Sequence, residues 1–168
     1  MTVIAALLHQ GAAWMAADRL AVFEEYDLGY ACKQPKIIRV GYALAGFAGS
    51  SALVHNALVA VDKAASDDVD SLLAALRAEL CADDMLDLEG IIATREVLVR
   101  FVGDLIPLAL CGDVAACGSG GPLALGSLST TNNAMAPELR LMAAMAAAER
   151  WCPAVGGGYD VLCVEAAL

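Results

Sequence analysis

The chain has 168 residues, a length that suits a single domain spanning residues 1–168. It is 60% hydrophobic and only 18% charged, which is more apolar than a soluble monomer needs and indicates surfaces that meet other subunits. Ten basic residues against 20 acidic ones give a formal net charge of −10, which argues against a nucleic-acid partner because phosphate backbones repel acidic surfaces.

The hydrophobic runs of the sequence are short. Asp, Arg or Gly interrupts each run before the roughly 18 apolar residues that a spanning helix requires, so no membrane partner is expected. The start, residues 1–8, is apolar, but it lacks a basic leader and is followed by His9 and Gln10, unlike a signal peptide. We interpret these residues as a first strand.

The cysteines bear on metal binding and on compartment. There are six, scattered without a C-x-x-C pair, and only two histidines accompany them, so neither a metal site nor another cofactor is predicted. Reduced thiols buried as small apolar residues are the expected state. They predict a cytoplasmic protein, because disulfides are rare in that compartment.

Strands are predicted before any helix. Gln10 and Gly11 form a tight turn between two short apolar runs, which is typical of a β-hairpin, and the polar residues 19–35 are predicted to be a loop. A second hairpin follows this loop. The four predicted strands are residues 3–8, 12–17, 37–40 and 42–47.

Helices and strands alternate in blocks along the rest of the chain. Apolar residues at helical spacing predict helices over 50–63, 67–80, 123–128 and 137–151, the last with Pro137 in its first turn. Further strands are predicted over 97–102, 105–110, 114–117 and 159–166. This order predicts an α+β fold in which helices cover both faces of two packed antiparallel sheets.

Thr2 offers a chemistry that needs no histidine. Removal of Met1 would give one residue both a hydroxyl and a free α-amine, and the amine can serve as the base for its own hydroxyl. An α-amine has an ordinary pKa of about 7.7 to 8.0, so it can accept a proton near neutral pH. Taken alone, a threonine at the second position is too common to indicate a function.

Four further segments give Thr2 a context. Asp18 lies sixteen residues after Thr2 in the segment AADR, Lys36 begins the segment KII, and glycine-rich segments follow as AGFAG at 45–49 and CGSGGP at 117–122. Together these segments resemble the N-terminal nucleophile hydrolases of the proteasome β-subunit and HslV type. The resemblance extends over most of the chain.

The resemblance implies a role for each matching residue. Thr2 would be the nucleophile, Lys36 would hold positive charge beside it, and Asp18 would keep the lysine in place. The backbone N–H of Gly49 would face the developing oxyanion, and the Ser119 hydroxyl would relay the proton of the threonine amine.

Each of these residues also has an ordinary structural interpretation. Asp18 and Lys36 would be exposed or strand-end charges, Gly49 a tight turn before a helix, and Ser119 a helix N-cap. Lys33 stays open as an alternative to Lys36. A phosphate-binding loop at 117–122 is disfavoured because no Lys-Ser or Lys-Thr follows the glycines.

The resemblance is incomplete in two places. Proteasome β-subunits carry an Asp and a Ser three residues apart before their last glycines, and residues 152–157 contain neither. HslV-type chains also lack that serine, so the departure favours the bacterial branch, with the β-proteobacterial proteasome homologues as one candidate group. Ser-Ser-Ala-Leu at 50–53 also departs from the family, so pocket preferences do not transfer, although Phe47 and Ser51 are expected near the specificity pocket.

The resemblance thus implies a four-layer αββα sandwich assembled into two stacked homomeric rings of six or seven subunits. Its function would be a threonine endopeptidase that cleaves unfolded polypeptides inside the rings, with an ATPase unfoldase ring as a further partner. The first alternative is a catalytically silent ring subunit, because a retained Met1 would bury the amine in a peptide bond. A weaker alternative is a non-proteolytic amidase of the same superfamily.

Overall fold

The computed structural model describes residues 2–23 and 28–165. Within them the chain forms eleven strands and five helices. In chain order these are β1 (Ile4–His9), β2 (Ala12–Asp18), β3 (Leu20–Phe23), β4 (Leu28–Ala31), β5 (Ile37–Val40), β6 (Ala43–Ala48), α1 (Ser51–Ala64), α2 (Val69–Glu79), α3 (Ala82–Leu86), β7 (Glu89–Ala93), β8 (Leu98–Val102), β9 (Leu108–Ala109), β10 (Val114–Cys117), α4 (Gly121–Thr130), α5 (Pro137–Trp151) and β11 (Tyr159–Val164).

Two antiparallel sheets form the centre of the molecule. The first has the strand order β10-β1-β2-β11, and the second has the order β5-β6-β7-β8-β9. Apolar side chains of both sheets share one core, in which Ile4 and Met15 of the first sheet pack with Ile91 of the second. Gly46 of β6 permits this close approach, since a Cβ there would lie 2.9 Å from the Met15 sulfur.

Helices cover the outer face of each sheet. α1 and α2 pack on the second sheet through a core that includes Leu58, Leu72 and Phe47. α5 packs on the first sheet through Leu141 and Met145, with α4 beside it. The four layers of the predicted αββα sandwich are therefore confirmed. Residues Ile4–Leu7 of β1 are all apolar because both faces of the strand are buried there.

The structure corrects several predicted elements. Part of the expected loop at 19–35 forms the β3–β4 hairpin, while residues 24–27 and the expected strand end at 166 lie outside the described residues. The predicted strand at 105–110 shrinks to β9, because Leu105 turns into the core with a positive φ of 54°.

Two further elements, α3 and β7, were not predicted. β7 pairs with both β6 and β8 in the centre of the second sheet, where each face is covered and no polar alternation marks the strand. Gly90 also weakens the strand pattern in the sequence, because glycine is uncommon within strands. A glycine is required there because a Cβ would lie 2.8 Å from the ring of Phe47 and would also meet Phe101.

The cysteines also differ from expectation. All six are free, but Cys117 is the one that is fully buried among them. Cys81 and Cys111 are exposed. The prediction that these residues serve as core thiols was therefore wrong for most of them.

Candidate active site

A cleft of about 890 Å³ lies between α1, the β3 strand and the turn after β10. Five of the residues that the sequence singled out line it, namely Thr2, Lys36, Gly49, Ser51 and Ser119. Asp18 lies fully buried beside it. The cleft therefore brings together residues that are widely separated in the sequence.

Strand register places Thr2 beside Ser119. β1 and β10 pair Ile4 with Cys117, so the same register continued by two residues sets Thr2 opposite Ser119. The Thr2 N–H donates to Ser119 Oγ at 3.2 Å, and the Ser119 hydroxyl donates to the Thr2 carbonyl at 3.3 Å. Gly120 N–H also donates to this carbonyl, at 3.2 Å. Ser119 therefore holds the residue from its nitrogen and its carbonyl side, and Gly120, not Ser119, is the N-cap of α4.

The turn that carries Ser119 needs a glycine in front of it. Gly118 has a φ of +83°, and a Cβ at this position would overlap the Thr2 carbonyl oxygen. The backbone of the turn therefore lies directly against the backbone of Thr2.

The Asp18 carboxylate is saturated with hydrogen bonds. Oδ1 accepts from the Val3 N–H at 3.0 Å and from Lys36 Nζ at 2.8 Å. Oδ2 accepts from the Leu20 N–H at 3.2 Å and from the Gly156 N–H at 3.4 Å. Since an isolated buried carboxylate would be very unfavourable, these four donors explain how a fully buried Asp18 is tolerated.

Lys36 connects this buried charge to the cleft. Its ammonium donates to Asp18 Oδ1 and to the Leu20 carbonyl, the latter also at 2.8 Å, and its side chain is 13% exposed. Lys33 is exposed. Of the two lysines that the sequence left open, the structure places Lys36 at the cleft and against Asp18.

Gly49 lies between the end of β6 and Ser50, which caps α1 by accepting from the Leu53 N–H at 3.3 Å. A Cβ at Gly49 would come within 3.1 Å of the Asp87 carbonyl oxygen, so the site is tight. Ser51 lines the cleft as expected, but Phe47 does not. The Phe47 ring is fully buried in the core under α1 because successive residues of β6 alternate between faces, which corrects its expected place at the specificity pocket.

Two residues at the site were missed by sequence reasoning. Glu89 lines the cleft and accepts from the Gly118 N–H at 3.0 Å, and Cys152 brings its sulfur to 3.9 Å from Ser119 Oγ. An isolated glutamate before the apolar run Gly-Ile-Ile-Ala was the available signal for Glu89. Cys152 begins the stretch in which the expected Asp and Ser are missing, which was the signal for that residue.

Charge in the cleft is predominantly acidic. Asp62, Asp87 and Glu89 face it together with His55 and Lys36. Next to Glu89, the buried thiol of Cys117 has a pKa well above its ordinary value, chiefly because burial disfavours the thiolate and secondarily because Glu89 is negative. Among residues 2–23 and 28–165, no three His, Cys, Asp or Glu side chains are grouped to hold a metal ion.

Known proteins were compared with this chain by sequence and by structure. No protein-family model matches the sequence, and no curated protein matches it. Among solved structures, HslV from Trypanosoma brucei superposes with a TM-score of 0.77 at 19% identity, over 98% of this chain and 100% of that one. The chain has the HslV-type fold.

Two further structures share this HslV-type fold. BPH of Thiobacillus denitrificans matches with a TM-score of 0.74 at 22% identity, and its complex with epoxomicin matches with 0.75 at 20% identity. Each match covers 98% of both chains. The expected N-terminal nucleophile hydrolase fold is thereby confirmed. No helix in the described part of the chain is long and apolar enough to cross a membrane.

Proposed function

We propose that this chain is a threonine endopeptidase that hydrolyses peptide bonds of unfolded polypeptides, with Thr2 as its nucleophile. One observation carries the proposal. The nitrogen of Thr2 is hydrogen-bonded to Ser119, and the adjacent Val3 N–H is hydrogen-bonded to the Asp18 carboxylate that also holds Lys36. Thr2, Ser119 and Lys36 all line one cleft, which supports these roles.

The nitrogen of Thr2 becomes an α-amine once the peptide bond before it is cleaved. This amine accepts the proton of the Thr2 hydroxyl as the hydroxyl oxygen attacks a substrate carbonyl. Ser119 Oγ, 3.2 Å from the nitrogen, keeps the amine oriented and can pass its proton onward to the leaving amine of the substrate.

Lys36 acts through its charge. The ammonium is held in place by Asp18 and by the Leu20 carbonyl, so it cannot swing away from the cleft. A fixed positive charge stabilises the developing alkoxide and lowers the pKa of a neighbouring hydroxyl and amine.

Gly49 is the expected oxyanion donor. Its position on the cleft wall between β6 and α1 allows a substrate carbonyl to approach the backbone closely. A preorganised N–H donor contributes about 3 kcal/mol to the stabilisation of the transition state. Water then attacks the ester of the acyl-enzyme and regenerates Thr2.

Exposed apolar surface supports a homo-oligomeric ring assembly. Leu139 is 60% exposed and Trp151 is 70% exposed on α5, and Ile106 is 62% exposed beside β9. These side chains would lose their contact with water in a subunit interface, which favours association. A double ring of six or seven subunits each, a cytoplasmic location and an ATPase unfoldase partner complete the proposal.

A silent ring subunit is the competing function. The observation that favours it is Cys152, whose thiol lies against Ser119 in the stretch where proteasome β-subunits have a carboxylate. A thiol is a weaker hydrogen-bonding partner than a carboxylate, and support of the amine would be weaker.

Intact mass before and after incubation with epoxomicin, an epoxyketone, separates the two functions, with Thr2→Ala as the control. Loss of Met1 together with an adduct confined to the wild type is the expected result. A wild-type mass that retains Met1 and gains no adduct would instead favour the silent subunit.

A further inference from the structure

Glu89 is the first residue of β7 and lines the cleft between the end of β6 and the turn after β10. β6 and β7 pair Ala48 with Glu89, so the Glu89 backbone lies beside the residue that precedes Gly49. Its side chain reaches in the other direction, to the turn after β10 of the opposite sheet. Glu89 therefore contacts one sheet through its backbone and the other through its carboxylate.

The carboxylate is bound at both of its oxygens. Oε1 accepts the Gly118 N–H at 3.0 Å, and Oε2 accepts from an Arg100 guanidinium nitrogen at 3.2 Å. Arg100 belongs to β8, which pairs with β7, so its contact holds the carboxylate in an orientation suited to Gly118.

The contact with Glu89 bears on Thr2 because Gly118 lies next to Thr2. Its backbone lies against the Thr2 carbonyl, and the next residue is Ser119, which is hydrogen-bonded to the Thr2 nitrogen. The turn has one internal hydrogen bond, from the Gly121 N–H to the Gly118 carbonyl at 2.8 Å, and the Glu89 carboxylate supplies the bond to the Gly118 N–H. Because glycine is conformationally permissive, this second bond adds to the restraint on the turn.

We infer that Glu89 is a positioning residue, which fixes the Gly118–Ser119 turn and hence sets the Thr2 nitrogen relative to Gly49. The expected effect of Glu89 on turnover rests on the proposed function. The hydrogen bond between Glu89 and Gly118 does not depend on that function, so the positioning role and the proposed function can be tested separately.

Three variants of the full chain test the inference. Glu89→Gln keeps an oxygen acceptor for Gly118 and removes the charge, whereas Glu89→Met keeps the length of the side chain and removes the acceptor. Both lose the ion pair with Arg100, so their difference isolates the hydrogen bond to Gly118. Glu96→Gln is the matched control, because Glu96 is exposed in the turn between β7 and β8.

Turnover is measured with a fluorogenic peptide, and kcat is expressed per active site titrated with epoxomicin, so unfolded protein does not contribute. We expect Glu89→Met to lower kcat about tenfold with KM changed by less than about twofold, since misplacement by a fraction of an ångström suffices for this. Glu89→Gln should lose less than Glu89→Met, about threefold at most, because it keeps the acceptor for Gly118 but loses the ion pair with Arg100. Glu96→Gln should match the wild type. If Glu89→Met does not fold, Glu89→Ala takes its place.

Amide hydrogen exchange of the 114–121 segment gives a readout that needs no activity. Loss of the acceptor should speed exchange at Gly118 about tenfold in Glu89→Met and leave it slow in Glu89→Gln. An unchanged kcat in Glu89→Met, or an equal loss in Glu89→Gln, would overturn the inference. A wild type without an epoxomicin adduct would remove the proposed function, and exchange at Gly118 would then decide alone whether Glu89 holds the turn.

Discussion

The Lys36 ammonium lies 2.8 Å from Oδ1 of Asp18, and the same oxygen accepts the Val3 N–H at 3.0 Å. One buried carboxylate oxygen thus binds both the lysine that faces the cleft and the backbone immediately after Thr2. A change at Asp18 must therefore affect both the Lys36 ammonium and the position of the backbone next to Thr2.

Asp18→Asn should reduce both stability and activity. The amide leaves Lys36 without its counter-ion and turns an NH₂ group toward N–H donors. Removing one partner of a buried ion pair is strongly destabilising because the other charge is left uncompensated. We expect a loss of about 3 to 5 kcal/mol in the free energy of unfolding, measured by denaturant titration. Asp104→Asn, at an exposed position, is the control and should change little. A fully stable Asp18→Asn protein would contradict the assigned contacts.

Replacing each of the two lysines in turn separates their contributions. Lys36→Met should lower kcat/KM for a peptide substrate at least about a hundredfold, because the proposed function requires its fixed charge beside Thr2. Lys33→Met should leave kcat/KM within about twofold, since Lys33 is exposed and surface charges contribute little. The reverse pattern would show that the sequence alternative, Lys33, acts at the site.

Gly118→Ala should be far more damaging than its size suggests. The new methyl group would overlap the Thr2 carbonyl oxygen, and alanine at a φ of +83° is itself strained by roughly 1 to 2 kcal/mol. Thermal unfolding should show a lower Tm, and the epoxomicin adduct on Thr2 should form more slowly.

Gly112→Ala is the matched control for that variant. A Cβ at Gly112 would meet nothing within 4 Å, so no overlap is introduced. Its Tm should equal or slightly exceed that of the wild type, because alanine restricts the unfolded chain. Equal losses of Tm in both glycine variants would show that the contact with Thr2 is unimportant.

Cys117 should make the folded state less stable in alkali. Burial raises the pKa of its thiol, so the folded chain keeps the proton that the unfolded chain releases once the pH exceeds about 9. Above that pH the unfolded state binds fewer protons, and the free energy of unfolding falls by at most about 1.4 kcal/mol per pH unit from this group.

Cys117→Ala tests this pH dependence. The difference in unfolding free energy between wild type and variant should be constant below pH 8 and should shift in favour of the variant between pH 9 and 10.5, within about 1.4 kcal/mol per pH unit. Denaturant titration at each pH measures it. Parallel curves over the whole range would contradict a strongly raised pKa for the buried thiol.

The sequence by itself determined the features that depend on local geometry, such as helix α5 and the hairpin of β1 and β2. Helix α5 begins at Pro137 and ends at Trp151 as its apolar spacing predicted, because proline suits the first turn and the periodicity is a property of the segment alone. The spacing of Thr2 and Asp18 is equally local. Gln10 and Gly11 both have positive φ in a two-residue turn, which fixes the register of β1 and β2 and sets Val3 opposite Asp18.

Tertiary structure alone decided which distant residues meet. Ser119 lies 117 residues from Thr2 and is brought beside it by the pairing of β1 with β10. The choice between Lys33 and Lys36 depended on where β5 begins after the β3–β4 hairpin, which the composition of residues 19–35 did not reveal. Glu89 escaped notice because its partner Gly118 belongs to the opposite sheet, and no periodicity within one strand encodes how two sheets pack.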